Sequence, residues 1–292
     1  MKSVRYLDLT PLSDAIFMID WIIHTFGQWL LSNAPAKRAY LCDFKQICNK
    51  VQSGDVLLIE GRNRISGIIK DITQSPWSHA ALYIGNIHDI QDSPLKKLIL
   101  TYIQQLALSI ETLSGHLLIE TDIGIGTTIS PIEKYQEDHI RILRPHGIFP
   151  EDIQNVIAYM ISHLGRHYDV RHVFDLARFL FPWRFFPRKW RSSLFQHNAL
   201  KPTREICSSL IAEAFQSVGF PVLPFVVETE GKPLELVQRN SKLFTPSDFD
   251  YSPYFEVIKY PIFPLGIEMS YKDLPWKRDD FNKSDHLQMS KD

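Results

Sequence analysis

A cysteine at the start of a predicted helix is the first residue of this sequence whose position suggests chemistry. Cys207 lies at the start of a segment, residues 206–218, whose apolar spacing predicts a helix. A thiol there meets the positive end of the helix dipole and unpaired backbone N–H groups, and both stabilise the thiolate. The same N–H groups can stabilise an oxyanion on an acyl intermediate. A small core residue is the alternative interpretation of this cysteine.

Two further residues are of the types that cysteine catalysis requires. His79 begins the apolar run His-Ala-Ala-Leu-Tyr-Ile-Gly, which predicts a strand with the imidazole at the rim of a sheet. Glu120 ends the run His-Leu-Leu-Ile-Glu and is expected near a sheet end. Cysteine–histidine catalysis needs a base within reach of the sulfur and a group that orients the imidazole. Cys207, His79 and Glu120 can supply that set; a structural histidine and a solvent-facing carboxylate are the alternatives.

The elements that position these residues follow from the spacing of apolar side chains. Helices of 3.6-residue period and short apolar runs do not alternate regularly, which predicts an α+β fold rather than a doubly wound sheet. The helix near 94–112 lies between two strands that would otherwise form a hairpin, and we interpret it as an insertion. Strands are predicted at 56–59, 79–85, 116–120, 140–143 and 255–258, and helices near 65–72, 94–112, 150–164 and 206–218.

Composition excludes several classes of protein. The 292 residues are 45% hydrophobic and 22% charged, which is enough to bury a full core and argues against disorder. With 32 Lys+Arg against 33 Asp+Glu, no overall charge favours nucleic acid as a partner. Three cysteines cannot form a disulfide framework and fit a reducing compartment. The first residues have no secretion-signal pattern, so we expect a cytoplasmic protein.

Two segments suggest a surface that contacts a membrane. Residues 16–31 form an amphipathic pattern, either a helix packed on the domain or one lying on a bilayer. Residues 176–204 contain seven basic and seven aromatic residues and no acidic residue. This mixture suits an anionic membrane surface or single-stranded nucleic acid, and core aromatics with a solvated basic rim are the alternative. We favour peripheral membrane contact over nucleic acid among the functional interpretations.

The sequence offers only incomplete metal or cofactor motifs. His163 and His167 have the i, i+4 spacing of metal ligands but lack the accompanying glutamate. Cys42 and Cys48 have no second ligand pair, and Gly124-Ile-Gly126 lacks the rest of a dinucleotide motif. We therefore expect no metal and no organic cofactor.

The order of several short segments resembles one family of hydrolases. The sequence is similar to the permuted papain-like cysteine hydrolases, the YiiX/YebB-like branch of the NlpC superfamily, which are distantly similar to lecithin:retinol acyltransferase. The resemblance covers roughly residues 50–260. The segments are Gly-Asp-Val-Leu-Leu-Ile-Glu-Gly (54–61), Ser-His-Ala-Ala-Leu-Tyr-Ile-Gly (78–85), Leu-Leu-Ile-Glu (117–120), Tyr-Asp (168–169), Ile-Cys-Ser-Ser-Leu-Ile-Ala-Glu-Ala-Phe (206–215) and Thr-Pro-Ser-Asp-Phe-Asp-Tyr-Ser-Pro-Tyr-Phe (245–255).

The resemblance implies a circularly permuted papain-like fold, in which a mostly antiparallel central sheet packs against helices. The catalytic residues then occur in the order histidine, acid, cysteine. It further implies that Cys207 is the nucleophile, His79 the base and later acid, and Glu120 the orienting acid. Tyr168 is either a cleft residue or a packing residue. The candidates for substrate or oxyanion contacts are Tyr168, Ser208, Ser78 and Trp77.

The resemblance divides the chain into three parts. We expect an amphipathic helical segment over 1–49, a hydrolase domain over 50–260 and an extended or loosely ordered tail over 261–292. Within the domain, a helical insertion at about 87–115 and the basic–aromatic segment 176–204 depart from a simple connection. Both departures can reshape the substrate site.

We therefore expect a cysteine hydrolase that acts through an acyl-enzyme on an amide bond of a small peptide or a cell-wall-derived peptide. One alternative is a lipid ester or thioester hydrolase, or an acyltransferase, at a membrane surface. A second alternative is a non-catalytic module that binds an acyl or amide ligand.

Overall fold

The computed structural model describes residues 43–86, 94–105, 115–122, 125–166, 207–228, 233–260 and 270–274. Six of its strands form one antiparallel sheet in the order β4-β3-β2-β1-β5-β8, and β6 and β7 form a separate ribbon. The strands are β1 (Val56–Glu60), β2 (His79–Asn86), β3 (His116–Asp122), β4 (Gly126–Pro131), β5 (His139–Pro145), β6 (Phe225–Val227), β7 (Glu235–Val237) and β8 (Phe255–Ile258). The helices are α1 (Phe44–Lys50), α2 (Arg64–Thr73), α3 (Pro94–Gln105), α4 (Pro150–Ser162), α5 (Cys207–Ser217) and α6 (Pro246–Tyr251).

The central strands are apolar on both faces because both faces are covered. Val56 and Leu58 of β1 face a cluster that α4, α5 and the aromatic residues near β8 complete. Leu57 and Ile59 alternate to the other face, where Ile47 of α1 packs. This double burial explains why the sequence shows continuous apolar runs rather than alternation. The predicted α+β class with a mostly antiparallel sheet is confirmed.

Local signals fix the ends of the helices that cover the sheet. Pro150 stands at the first turn of α4, followed by two acidic residues that complement the helix dipole. Helix α5 ends before Gly219, whose φ of +78° is the left-handed conformation that closes a helix. Both helices begin and end within two residues of the predicted bounds.

At one end of the sheet, two strands begin and two strands end side by side. Because neighbouring strands are antiparallel, β1 and β3 end where β2 and β5 begin, and the register pairs Ile59 with His79 and Glu60 with His139. A Cβ atom at Gly61 would lie 2.4 Å from Ser66 Oγ, so only glycine allows α2 to start this close to the strand end. This end of the sheet is therefore tightly packed where α2 begins.

Helix α3 lies between β2 and β3, within the insertion predicted at about 87–115, of which residues 87–93 and 106–114 lie outside the described residues. Ile99 and Ile103 of α3 are fully buried in the cluster that includes α4 and α5, so this helix is part of the core. Among the described residues, no helix is long and apolar enough to cross a bilayer. The predicted helix at 16–31 and the basic–aromatic segment 176–204 lie outside the described residues. The three-part division of the chain stays a prediction.

Candidate active site

Cys207 opens helix α5 and is almost fully buried. Its Sγ accepts a hydrogen bond from the backbone N–H of Ala80, with 3.4 Å between nitrogen and sulfur. The first N–H groups of a helix have no partner within the helix, so the start of α5 directs further donors toward this end. Both features favour negative charge on the sulfur and on an oxyanion formed beside it.

His79 begins β2 and lies between the sulfur and a carboxylate. Its Nε2 is 2.7 Å from Glu120 Oε2, and the next residue, Ala80, is the one whose N–H bonds the sulfur of Cys207. Burial alone would lower the pKa of His79, but the negative charges of Cys207 and Glu120 raise it well above its ordinary value. These charges therefore favour the imidazolium form of His79, which the Glu120 carboxylate orients.

Glu120 is fully buried and takes hydrogen bonds on both oxygens. Oε2 accepts from the Tyr135 hydroxyl as well as from His79, and Oε1 is 2.7 Å from the ammonium of Lys134. Burial alone would raise the pKa of Glu120, but His79 and Lys134 lower it far below its ordinary value. The carboxylate is thus held ionised in the core.

Lys134 and Tyr135 are parts of this site that the sequence analysis missed. They lie in a short 3-10 turn, Ile132–Tyr135, that follows β4. Lys134 Nζ is also 2.5 Å from Asp122 Oδ2 at the end of β3, and these two carboxylates raise the pKa of Lys134 although burial opposes this. Burial and the nearby carboxylates raise the pKa of Tyr135 well above its ordinary value, so Tyr135 stays a neutral donor. The segment Ile-Glu-Lys-Tyr has no pattern typical of a catalytic site.

Cys207 and Glu120 lie on opposite faces of the sheet from one another, with His79 at the strand end between them. Ala80 faces the cluster that contains Cys207, whereas Ala81 faces the cluster that contains Tyr135. Side chains alternate along a strand, so His79 starts on the Tyr135 face. Its position at the open end of β2 lets the imidazole reach the sulfur around the strand end. The sheet therefore separates Glu120 from Cys207, and His79 lies where it can connect the two.

The side chains of three candidate contact residues are engaged with other parts of the fold. Trp77 donates its indole N–H to Asp250 Oδ2 over 3.0 Å and is buried. Ser78 Oγ donates to Ile59 O over 3.3 Å, and Ser208 Oγ donates to Phe244 O over 2.8 Å. A substrate or oxyanion role for these residues stays a prediction. Tyr168 lies outside the described residues.

The same end of the sheet contains a group of atoms close enough to share a cation. Ligand atoms of His79, Glu120 and Asp122 lie within 4.8 Å of one another. The ammonium of Lys134 bonds to both carboxylates and already supplies the positive charge there. We therefore describe an ion-pair network rather than a set of metal ligands. His163 Nδ1 lies 2.8 Å from its own helix carbonyl at Tyr159, and His167 and Cys42 lie outside the described residues.

The structure brings together a thiol at a helix start, an imidazole at a strand start and a buried carboxylate. Their chain order, histidine, glutamate, cysteine, is the order that the resemblance to permuted papain-like cysteine hydrolases implies. Residues 50–179 match the family model described as "Permuted papain-like amidase enzyme, YaeF/YiiX, C92 family". The match confirms the predicted resemblance and indicates an enzyme of the cysteine amidase or peptidase type. The matched residues include His79 and Glu120 and end before Cys207.

Among solved structures, the chain is similar to the crystal structure of the metalloprotein yiiX from Escherichia coli O157:H7, DUF1105. The two share 15% sequence identity, the alignment covers 72% of this chain and 97% of that chain, and the TM-score is 0.40. No curated protein matches the chain.

Proposed function

We propose that this cysteine hydrolase cleaves amide bonds through an acyl-enzyme on Cys207, with His79 as general acid and base and Glu120 as its orienting group. The position of the His79 imidazole carries this proposal: it is 2.7 Å from the buried carboxylate of Glu120 and adjoins Ala80, whose N–H bonds the buried sulfur of Cys207. Each role needs a group close to the next one, and these positions support the proposed roles.

The reaction has two balanced halves. In the first, the Cys207 thiolate attacks the amide carbonyl carbon, the carbon–nitrogen bond breaks, and His79 gives its proton to the leaving amine. In the second, neutral His79 takes a proton from water while the oxygen attacks the thioester. The carbon–sulfur bond breaks, and the thiolate–imidazolium pair and a carboxylic acid product result. The N–H groups at the start of α5 face the oxyanion in both halves.

The substrate we propose is a small peptide amide, including peptides derived from cell walls. The amidase description of the matching family supports an amide over an ester.

A second candidate is hydrolysis or transfer of a lipid acyl group at a membrane surface. The ribbon of β6 and β7 favours it, because Phe225, Val226 and Leu236 are each more than half exposed (58%, 63% and 54%). The basic–aromatic composition of 176–204 adds positive charge suited to anionic lipid. On this candidate, the protein contacts the membrane peripherally.

Alkylation of Cys207 by iodoacetamide, followed by peptide mass spectrometry, tests the ion pair. We expect rapid labelling at about pH 6 that His79→Ala abolishes and Glu120→Gln slows, because the imidazolium stabilises the thiolate. Cys48 is the internal control: burial, with the negative charge of Glu133, raises its pKa to about 11, so it should label only in strong alkali. If Cys207 labels only above about pH 8 in all three proteins, catalysis is excluded and ligand binding becomes the leading function.

Release of amine from muropeptides and of fatty acid from lysophospholipids separates the two substrate classes. Amine release by the wild type and not by Cys207→Ser supports the amidase. Fatty-acid release alone, dependent on Cys207, supports the lipid candidate and contradicts the amidase.

A further inference from the structure

Lys134 sits where it can compensate the charge of the orienting carboxylate. Its side chain is 36% exposed, and it reaches inward to Glu120, whose side chain is fully buried. The ammonium is 2.7 Å from Glu120 Oε1, the oxygen on the side away from His79, and 2.5 Å from Asp122 Oδ2. Glu120 is therefore the one group of the network that contacts two cations when His79 is protonated.

The second half of the reaction creates a charge problem at this place. After the first half, the thioester sulfur is neutral and His79 has lost its proton to the amine. Glu120 is then a buried carboxylate without the imidazolium, and an unpaired buried charge is costly. Because Glu120 and His79 are hydrogen-bonded, the protonation of one affects the protonation of the other. His79 can take a proton from water only when Glu120 is ionised and the imidazole is neutral.

We propose that Lys134 is a positioning residue that keeps Glu120 ionised while His79 is neutral, so that His79 can act as base on the acyl-enzyme. This inference rests on the proposed function. Tyr135 adds a hydrogen bond to the carboxylate but no charge, so it cannot replace the ammonium. Asp122 pairs with the same ammonium, and its negative charge opposes the effect of Lys134 on Glu120. Among the residues that the structure describes, the titratable and charged groups that face the His79–Glu120 pair are Cys207, Lys134, Tyr135 and Asp122.

The test compares kcat as a function of pH in the wild type, Lys134→Gln and Lys134→Arg. Glutamine keeps a donor toward Glu120 Oε1 and removes only the charge. Without that charge the pair binds its last proton more tightly, so the acid limb of the profile should move to higher pH by about one unit. Arginine should restore the wild-type limb. An equal loss of kcat at every pH in Lys134→Gln would overturn the proposal.

A measurement that needs no turnover separates this inference from the proposed function. In Cys207→Ser the sulfur charge is absent, as in the acyl-enzyme, and the titration of His79 can be followed by NMR of histidine-labelled protein. Adding Lys134→Gln should raise the midpoint by about one pH unit. Adding Asp122→Asn instead should lower it, and this second variant decides the matter where Lys134→Gln does not fold. Unchanged midpoints contradict the role of Lys134, whether or not the enzyme hydrolyses amides.

Lys70→Gln is the matched control. Lys70 forms a similar ion pair at the same edge of the sheet, with Glu60 at 3.5 Å, and has no contact with Glu120. It should leave both the kcat profile and the His79 titration where they are. A shift as large as that of Lys134→Gln would show a general charge effect and would overturn the specific one.

Discussion

Two buried carboxylates of this protein illustrate how the number of partners decides the charge of an acid. Asp55 is almost fully buried and binds Arg144 through both oxygens, yet burial outweighs this pairing and raises the pKa of Asp55. Glu120 is as buried but contacts His79, Lys134 and Tyr135, and its pKa is lowered instead. Glu120 has a second cationic partner that Asp55 lacks, and this partner makes the difference between a lowered and a raised pKa. The site contains the acid that has two such partners.

The pH dependence of stability should follow from that ionisation. We expect Glu120→Gln to lose about 3–5 kcal/mol near pH 7, because it leaves His79 and Lys134 without their shared anion. A lowered pKa contributes stability that is present above the ordinary value of 4.5 and is lost as the pH falls below it. The difference in the free energy of unfolding between the wild type and Glu120→Gln should therefore narrow from about pH 5 to about pH 3. Urea denaturation followed by circular dichroism measures it.

The control for this prediction is Glu137→Gln. Glu137 is 54% exposed and pairs with Arg62, so its loss should cost less than about 1 kcal/mol at any pH. A constant gap between wild type and Glu120→Gln across the same pH range would mean that the charge of Glu120 does not stabilise the fold.

For single residues, the sequence predicted a contact only where the residue lies at the predicted start or end of a strand or helix. Cys207 and His79 begin regular elements and Glu120 ends an apolar run, so their common edge could be inferred. Lys134 and Tyr135 could not, because a short turn after β4 brings them to Glu120 and no periodic signal describes that turn. Contacts between distant segments are set by packing, which a single sequence does not display.

At the scale of the elements, helix ends in this protein use the left-handed conformation with and without glycine. Gln74 closes α2 with φ of 51° and ψ of 38°, a conformation that costs a residue with a Cβ atom. Gly219 closes the end of α5 with φ of +78°, and a Cβ there would meet nothing within 4 Å. The two ends therefore differ in backbone strain rather than in packing.

Exchange of the residue types at these two ends should change stability in opposite directions. We expect Gln74→Gly to stabilise the protein by about 0.5–1 kcal/mol, because it relieves the left-handed strain of an exposed residue. Gly219→Ala should destabilise it by about 1–2 kcal/mol for the same reason. Thermal denaturation of both variants beside the wild type measures the two effects. Loss of stability in both variants would show that the hydrogen bond from Gln74 Nε2 to Asp71 O outweighs the strain.

The elements that the sequence predicted share a simple signature, and those it missed lack it. Strands β1, β2, β3, β5 and β8 and helices α2, α3, α4 and α5 have uninterrupted or periodic apolar residues. Strand β4 reads Gly-Thr-Thr-Ile-Ser-Pro and pairs along β3 as an outer strand, where polar residues are tolerated. The ribbon of β6 and β7 was missed because each strand has three residues. Short or polar strands are defined by their partners.

At the scale of the molecule, aromatic contacts join the last strand of the sheet to helix α5, which begins at Cys207. Phe255 begins β8 and packs its ring edge-on against Phe215 of α5, with ring centroids 5.3 Å apart. It makes similar contacts with Phe220 and Phe249 at 5.5 Å. Such pairs add to the burial of their apolar area. Strand β8, the outer strand of the sheet, and helix α5 are thus parts of one core.

Phe255→Ala should therefore weaken the whole domain rather than its edge alone. We expect a loss of about 3–5 kcal/mol, since a fully packed aromatic side chain leaves a cavity. Unfolding in urea, followed by circular dichroism and by alkylation of Cys207, should give one shared midpoint. Tyr251→Ala is the control: Tyr251 is 73% exposed, and its loss should cost less than about 0.5 kcal/mol. Separate midpoints for the two probes would contradict a single core.

The chain order of the site has a consequence for the newly made protein. A ribosome adds His79 128 residues before Cys207, and it adds the two carboxylates of the network, Glu120 and Asp122, 87 and 85 residues before Cys207. The aromatic partner of α5 at Phe255 emerges later still. A nascent or prematurely ended chain thus holds an acid and a base but no docked nucleophile. On the proposed function, such a chain cannot form an acyl-enzyme, because Cys207 has not yet been added.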